Sequence, residues 1–328
     1  MFELTRRGFL AATPALAAGP RKRMRLLDTK GERVVALHGE QPLFEYRYSR
    51  AKPKTYVHPL YLPDGRPVCV DGPPDHVHLR GLMVAWSGVN GVDFWGEVNP
   101  APHGEIVHQR FESLRGKDPV EITAIQHWIS QGKLLMVERR TLKAPAPLSE
   151  GTWLEWSSEF SAPKEPVTLS AAGHVYNGLG LRFLPSMTGG QALNANGAAS
   201  VEKANGEAAA WCTYYGALEG GRLAGVAIFD HPGNPRYPTP FFVMNKGYGY
   251  LSAAPTFRQP FQLAPGGEPL RLRWAVLAYL DQPKAEVLNR LHKRFSARRE
   301  GKYRLLTRAP QQEFPSRDRQ GAVGTVIS

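Results

Sequence analysis

The chain has 328 residues, of which 42% are hydrophobic and 21% are charged, a composition typical of a folded globular protein and not of a disordered one. It holds 41 Lys and Arg against 29 Asp and Glu, a formal net charge of +12, and the excess lies at the two ends. A nucleic-acid surface needs basic residues spread across the folded domain, so we expect no nucleic-acid partner. No apolar run reaches the roughly 20 residues of a membrane-spanning helix, and we expect no membrane span.

The first residues of the chain resemble an export signal. Paired arginines, Arg6 and Arg7, are followed by a short Ala-rich stretch that ends at Ala18. Paired arginines before a modest apolar segment and an A-x-A pattern resemble a twin-arginine export signal. We therefore predict a signal peptide over residues 1–18 and a periplasmic or secreted protein; the alternative is an ordinary basic N-terminus.

Short alternating runs of apolar and polar residues dominate the body of the chain and predict strands. Frequent breakers, 33 Gly and 28 Pro, disfavour long helices. The clearest predicted strands are 33–37, 42–48, 134–142, 153–160, 226–229 and 270–277. One helix is predicted from about Pro283 to Arg299, where apolar residues recur at helical spacing. The small residues of 192–207 predict an exposed loop.

These elements predict an all-β protein, a large antiparallel β-sandwich with a C-terminal helix. No linker rich in Pro and Ser divides the body. We therefore expect a single domain over residues 19–300 and a polar tail over 301–328. Cys69 and Cys212 could pair in an oxidising compartment, but two cysteines without a C-x-x-C motif more often remain buried free thiols.

Polar and aromatic residues that could form a binding site concentrate in three segments. The first, 58–95, contains the candidate binding residues His58, His76, His78, Arg80, Trp86, Asp93 and Trp95, and the candidate catalytic Asp75. The second, 174–182, contains the candidate catalytic His174 and the binding residues Tyr176 and Arg182. The third, 230–240, contains the candidate catalytic Asp230 and the binding residues His231, Asn234 and Arg236. We expect the three segments to converge in one pocket.

His76 and His78 are two positions apart, so in extended backbone both side chains leave the same face. Two imidazoles there could share a divalent metal with His58 or Asp75. The two imidazoles could equally bind a polyhydroxylated ligand together with Arg80, or stabilise a buried turn. The third segment is similarly open to two interpretations, because its four prolines favour either a rigid recognition loop or a structural corner.

Several long motifs resemble the PmoA-like family of exported bacterial proteins, a domain of unknown function. They are HPLYLPDGRPV (58–68), PPDHVHLRGLMVAW (73–86), HVYNGLGLRF (174–183), FDHPGNPRYPTPFFV (229–243) and APGGEPLRLRWAV (264–276). Relatives tend to read H-P-H-H-R-G where this chain reads H-V-H-L-R-G, and the missing histidine weakens the metal hypothesis. The family's methane-oxygenase label is not expected to apply, because that enzyme's subunit crosses a membrane.

The His-x-Tyr motif and the late strand also look similar to the galactose-mutarotase-like supersandwich. This resemblance implies a general-acid role for His174. The stretch 250–255, where the resemblance would place a glutamate base, has no carboxylate. Asp75, Asp93 or Asp230 would then have to act as the base.

The leading hypothesis is an exported carbohydrate-active protein that binds a sugar or oligosaccharide, or transforms a glycoside by hydrolysis, elimination or epimerisation. Arg182 and Arg236 would orient hydroxyls or a carboxylate, and Trp86 or Trp95 would stack on the sugar. The alternatives are a noncatalytic sugar-binding or cell-envelope module, and a metal-dependent oxidoreductase.

Overall fold

The computed structural model describes residues 22–97 and 103–297, together with the backbone of 325–327. Strands account for 51% and helices for 7%, which confirms the predicted all-β class. Within the described residues, no helix combines the length and the apolar character that crossing a membrane requires. The predicted signal peptide, residues 1–18, lies outside the described residues.

The strands are numbered in chain order. The first ten are β1 (Met24–Thr29), β2 (Arg33–His38), β3 (Gln41–Arg47), β4 (Tyr56–Leu60), β5 (Met83–Ala85), β6 (Gly88–Val89), β7 (Glu105–Arg115), β8 (Val120–Ser130), β9 (Lys133–Ala144) and β10 (Thr152–Ser161). The others are β11 (Val167–Ser170), β12 (Gly178–Arg182), β13 (Gln191–Asn194), β14 (Trp211–Ala217), β15 (Leu223–Asp230), β16 (Phe241–Met244), β17 (Tyr250–Ala253), β18 (Phe261–Leu263), β19 (Leu270–Leu280) and β20 (Thr325–Ile327). The helices are α1 (Val201–Ala204), α2 (Ala285–Ser296) and a 3₁₀ turn at Pro185–Met187.

The largest sheet has eight strands in the order β13-β14-β15-β19-β10-β9-β8-β7, and its ladders are antiparallel. Alternation along β19 supplies apolar side chains to both faces. Trp274 and Val276 join the main core, whereas Leu277 faces a second cluster with Leu288 and Leu291 of α2. The C-terminal helix therefore covers one face of this sheet and leaves the other face for the main core.

Three smaller antiparallel sheets complete the sandwich, in the orders β20-β1-β2-β3-β4, β16-β17-β12-β5 and β18-β11-β6. Leu26, Val84, Trp128, Leu169 and Leu179, one or two from each sheet, belong to one core cluster. A single core shared by all four sheets confirms the predicted sandwich with a C-terminal helix.

Most predicted strands agree with observed ones to within a few residues, and two segments differ. The predicted loop 192–207 instead contains the end of β13 and helix α1, whose first turn is capped by Ser200 accepting from the backbone N–H of Lys203. Within the predicted tail, 325–327 pair with β1, while 301–324 and 328 are outside the described residues.

Both cysteines are buried and free, so the expectation of unpaired thiols is confirmed for Cys69 and Cys212. Burial raises the pKa of the Cys69 thiol to about 12, which keeps it protonated and unreactive.

A buried ion pair joins strand β9 to its neighbours. Glu138 is fully buried and accepts hydrogen bonds from Nε and Nη2 of Arg140 at 2.8 and 2.7 Å. Its carboxylate also accepts from the indole N–H of Trp128 at 3.1 Å and from the hydroxyl of Ser158 at 2.6 Å. Arg140 in turn donates to the carbonyl of Thr55 at 2.9 Å, which links the eight-stranded sheet to the segment before β4.

Replacing Arg140 by Met should leave the Glu138 carboxylate buried without its charge partner. We expect the free energy of unfolding to fall by about 3–5 kcal/mol, measured by urea denaturation. Arg139→Met is the matched control, because the neighbouring arginine is partly exposed and pairs with Glu112 and Glu159 at the surface. Its expected loss is about 0–1 kcal/mol. Similar losses in the two variants would contradict the structural role given to the buried pair.

Candidate functional site

The first and second polar segments meet in a cleft of about 520 Å³. β5 and β12 are antiparallel neighbours, with Gly178 opposite Ala85, so the end of β5 and the start of β12 lie at one edge of their sheet. Loops that leave β5 and β6 therefore meet the loop that enters β12. The cleft is lined by Pro74, Asp75, His76, Val77, His78, Ser87, Asp93, Trp95, Gly96, Glu97, His174 and Tyr176.

Asn177, immediately before β12, joins two of these loops. Its side chain is fully buried, and its Oδ1 accepts from the backbone N–H of Ser87 at 3.1 Å. Its Nδ2 donates to the Ser87 hydroxyl and to the carbonyl of His174, each at 2.9 Å. Gly178 follows with φ of 134°, and a Cβ there would collide with the carbonyl of Ala253. The Asn-Gly pair thus positions the His174 loop against the end of β5.

Asp75 is paired with Arg182, which lies at the end of β12. Nη1 of Arg182 donates to Oδ1 at 2.9 Å and Nη2 lies 2.8 Å from Oδ2, a bidentate arrangement. Hydrogen bonding from Arg182 lowers the pKa of Asp75 to about 2. The same guanidinium lies 4.1 Å from the ring centre of Tyr248. His76 Nδ1 is 3.0 Å from Oδ2 of Asp75. An ionised carboxylate with two strong donors is a poor general base.

Glu97 is held by two cations that lie behind the cleft. Lys54, 1% exposed, donates to Glu97 at 2.8 Å and to the carbonyl of Trp95 at 2.6 Å. Arg80 donates its Nε and Nη2 to Glu97 at 3.1 and 2.5 Å. Burial lowers the pKa of Lys54 to about 8, partly offset by the charge of Glu97. Burial alone would raise the pKa of Glu97, but the hydrogen bonds from Arg80 and the charge of Lys54 outweigh it and lower the pKa.

His78 is an uncharged imidazole at neutral pH. Burial lowers its pKa to about 4, and the positive charge of Lys54 and the neighbouring His76 add to the effect. The His76 and His78 rings are 5.6 Å apart in an edge-to-face arrangement. A neutral imidazole has one donor and one acceptor nitrogen, so His78 can meet a hydroxyl group as either.

Aromatic rings cluster in the same cleft. The Tyr176 ring lies 4.8 Å from that of Trp95, which is 3% exposed, and 5.2 Å from that of His174, with the His174 and Tyr176 planes only 24° apart. Phe242 packs edge-on against Tyr176 at 5.7 Å. Burial raises the pKa of Tyr176 to about 12, so its hydroxyl remains a donor. His174 itself is exposed.

Asp93 is the third carboxylate of the cleft. Its Oδ1 accepts from the backbone N–H groups of Trp95 and Gly96 at 2.7 and 3.0 Å. Its Oδ2 lies 3.5 Å from Nδ1 of His103. In contrast to Asp75 and Glu97, Asp93 has no Lys or Arg partner among the described ion pairs. Of the predicted bases that line the cleft, Asp93 therefore has the oxygen most available for proton transfer.

Seven of the predicted site residues line this cleft: Asp75, His76, His78, Asp93, Trp95, His174 and Tyr176. Arg182 reaches it through Asp75. The other members of the first segment lie elsewhere. Arg80, 9% exposed, holds Glu97. Trp86 is fully buried beside Trp128 and Phe160, and therefore packs the core. His58 faces away, with Nε2 at 3.2 Å from the carbonyl of Cys69.

The third segment does not join the cleft and forms a buried corner instead. Asp230 is 1% exposed and accepts from Nδ2 of Asn234 at 2.7 Å and from the backbone N–H of Thr239 at 2.8 Å. His231 packs edge-on against Phe295 of α2 at 5.0 Å. Arg236 donates to the carbonyls of 259 and 260 and stacks on 261. Burial raises the pKa of Asp230 to about 7, but its partners are structural, as the corner hypothesis required.

The donor groups do not fit the hypothesis of a divalent metal on His58, His76 and His78. Across residues 22–97 and 103–297, no three side chains of His, Cys, Asp or Glu are grouped closely enough to hold a metal ion. His58 is 3.9 Å from Asp71, whereas His76 is 3.0 Å from Asp75. His76 and His78 do lie side by side, with ring centres 5.6 Å apart, but the backbone there forms two consecutive turns and not the extended strand on which the prediction rested. No third ligand joins them among the described residues.

Four residues that hold the cleft together are absent from the sequence-based prediction: Lys54, Glu97, Asn177 and Tyr248. Glu97 could have been suspected from the sequence, because it lies two positions after Trp95, just beyond the first polar segment. The sequence gives no such indication for Lys54 and Tyr248, since each lies in a stretch without other candidate residues and contacts the cleft only through tertiary packing.

A family model described as "Family of unknown function (DUF6807)" matches residues 33–293. This match does not confirm the expected PmoA-like name. No curated protein matches the sequence. Among solved structures, the chain is similar to a candidate kojibiose phosphorylase from the human microbiome, with a TM-score of 0.32 and 9% identity. The alignment covers 84% of this chain but 36% of that protein, and a likeness this distant supports no statement about function.

The low pKa of His78 predicts a specific acid sensitivity. Between about pH 6.5 and pH 4, the unfolded chain binds a proton at this residue that the folded protein does not, so stability falls as the pH falls. His78→Asn should remove about 1–2 kcal/mol of that loss. Urea denaturation of both proteins between about pH 6.5 and pH 4 measures the free energy of unfolding and its dependence on pH. The difference in stability between the two proteins at about pH 8, where the imidazole is neutral in both the folded and the unfolded chain, corrects for the change in packing. Parallel pH profiles would contradict the prediction.

Proposed function

Because this chain belongs to a family of unknown function, DUF6807, over residues 33–293, we propose its function from the chemistry of the cleft. The protein binds a sugar or short oligosaccharide there and transforms it by acid–base catalysis with His174 and Asp93. The observation that supports this most is that aromatic faces and hydroxyl-binding groups line one cleft of about 520 Å³. Small-molecule sites are commonly clefts of about 300–1,000 Å³.

A sugar ring has an apolar face of C–H groups and an edge of hydroxyls. The rings of Trp95 and Tyr176, whose planes are tilted by 45°, provide an apolar surface for the first. His76, His78 and Asp93 provide donors and acceptors for the second. The export signal predicted over residues 1–18 accords with action on sugars in the periplasm or outside the cell.

The proposed chemistry is proton transfer to and from a hydroxyl or glycosidic oxygen. His174 is exposed on the cleft and stacked on Tyr176, which suits an imidazole that must exchange a proton with a bound ligand. Asp93 is the proposed base, since Asp75 and Glu97 are engaged by arginine or lysine. Hydrolysis, elimination and epimerisation all use such a pair of groups.

A noncatalytic sugar-binding module is the second candidate. The observation in its favour is that Asp75 and Glu97, two of the three carboxylates in the cleft, are already paired with cations. A site that only binds needs such fixed groups and no free acid or base. The two candidates share the ligand and differ in what His174 does.

Removal of the Tyr176 ring should weaken sugar binding. We expect Tyr176→Ala to raise the Kd about tenfold for the tightest neutral sugar found in a thermal-shift screen of mono- and disaccharides, because a stacking surface is lost. Isothermal titration calorimetry measures the change. Tyr237→Ala is the control, since that ring stacks on His292 at 6.2 Å, outside the cleft. No difference between the two variants would remove the aromatic surface from the binding site.

His174 separates the enzyme from the binding module. If His174 transfers a proton, His174→Gln should lower turnover of a hydrolysed or epimerised glycoside by about 10²–10⁴-fold while the affinity for the sugar is retained. Product formation by chromatography and affinity by calorimetry are the two measurements. His127→Gln, on strand β8 and outside the cleft, is the control. Sugar binding by the wild type without turnover of any glycoside would favour the noncatalytic module.

A further inference from the structure

The two carboxylates nearest to cations in the cleft are fully committed to them. Asp75 receives two hydrogen bonds from Arg182, and Glu97 is held by Lys54 and Arg80. Their charges are thereby balanced inside the protein. Asp75 and Glu97 line the cleft, whereas Arg182, Lys54 and Arg80 do not, so an entering ligand meets the carboxylates first.

No Lys or Arg lines the cleft among the described residues. Arg182 contacts the lining residue Asp75, and its guanidinium is occupied on one side by this carboxylate and on its face by the Tyr248 ring at 4.1 Å. The stretch 98–102, between the described parts, reads Val-Asn-Pro-Ala-Pro and has no ionisable side chain. His78 adds no positive charge, because burial lowers its pKa to about 4.

A ligand anion in such a cleft would lose water without gaining a counter-charge. Desolvation of an ionised carboxylate is costly unless a cation or several donors replace the water. It would also face three carboxylates, Asp75, Asp93 and Glu97. Asp93 has no Lys or Arg partner among the described ion pairs, and like charges at close range repel. An uncharged hydroxyl loses far less on burial and can donate to each of these carboxylates.

We propose that the cleft selects uncharged sugars and rejects acidic ones, such as uronates and sugar phosphates, and that Asp75 determines this specificity by occupying Arg182. This inference rests on the proposed sugar-binding function and deepens it. It differs from the expectation that Arg182 orients ligand hydroxyls or a ligand carboxylate, because the carboxylate that Arg182 binds in the structure is the protein's own.

The first test compares matched pairs of probes on the wild-type protein at about pH 8, well above the usual imidazole pKa of about 6.5. The pairs are glucose with glucuronate, galactose with galacturonate, and mannose with mannose 6-phosphate. We expect the neutral member of at least one pair to bind, and at least about tenfold more tightly than its acidic partner. Tighter binding of an acidic member would overturn the specificity and leave sugar binding standing. No binding by any probe would overturn the proposed function itself.

The second test reverses the preference. Asp75→Asn keeps the size of the side chain but removes its charge, which leaves the Arg182 guanidinium without a charge partner at the rim. We expect uronate affinity, relative to the neutral partner, to rise about tenfold or more. Asp64→Asn is the matched control, because Asp64 pairs with Arg66 at 2.6 Å on the surface and outside the cleft. Thermal melting checks that both variants are folded. An unchanged ratio in folded Asp75→Asn would overturn the role of Asp75.

Discussion

The cleft depends on the hydrogen bonds of one buried amide. Asn177 joins the loop that enters β12 to Ser87 at the end of β5, and its side chain reaches both the backbone and the hydroxyl of Ser87. A buried amide with its donors and acceptor satisfied specifies one arrangement of the two loops, because any other arrangement would leave polar groups without partners. His174 and Tyr176 stand in the cleft as a consequence.

Three carboxylates of this protein are paired with cations before any ligand arrives. Glu138 with Arg140 in the core, Glu97 with two cations beneath the cleft, and Asp75 with Arg182 at its rim follow the same rule. Burying a charge is tolerated only when a partner and hydrogen bonds replace its water. These ion pairs stabilise the cleft. They also determine which ligands it can bind, since the polar groups that remain available suit hydroxyls better than anions.

Local sequence pattern predicted the strands well and the function of single residues less well. Alternation along 153–160 and 270–277 correctly indicated strands, because the period of two reflects which side chains the sheet buries. The pattern did not show which aromatic residues would reach the cleft. Trp86 and Trp95 lie in the same segment, yet the first is enclosed by Trp128 and Phe160 while the second lines the cleft. That difference arises from neighbours on distant strands.

The sequence by itself determined the all-β class and the C-terminal helix, because each follows from local periodicity and composition. Only the tertiary structure decided that 174–182 meets the first segment whereas 230–240 forms a corner under α2. The order of strands in the sheets determines which segments lie next to each other, and this order depends on contacts between residues far apart in the chain. For the same reason, no local pattern could show that Arg182 was already bound to Asp75, 107 residues away.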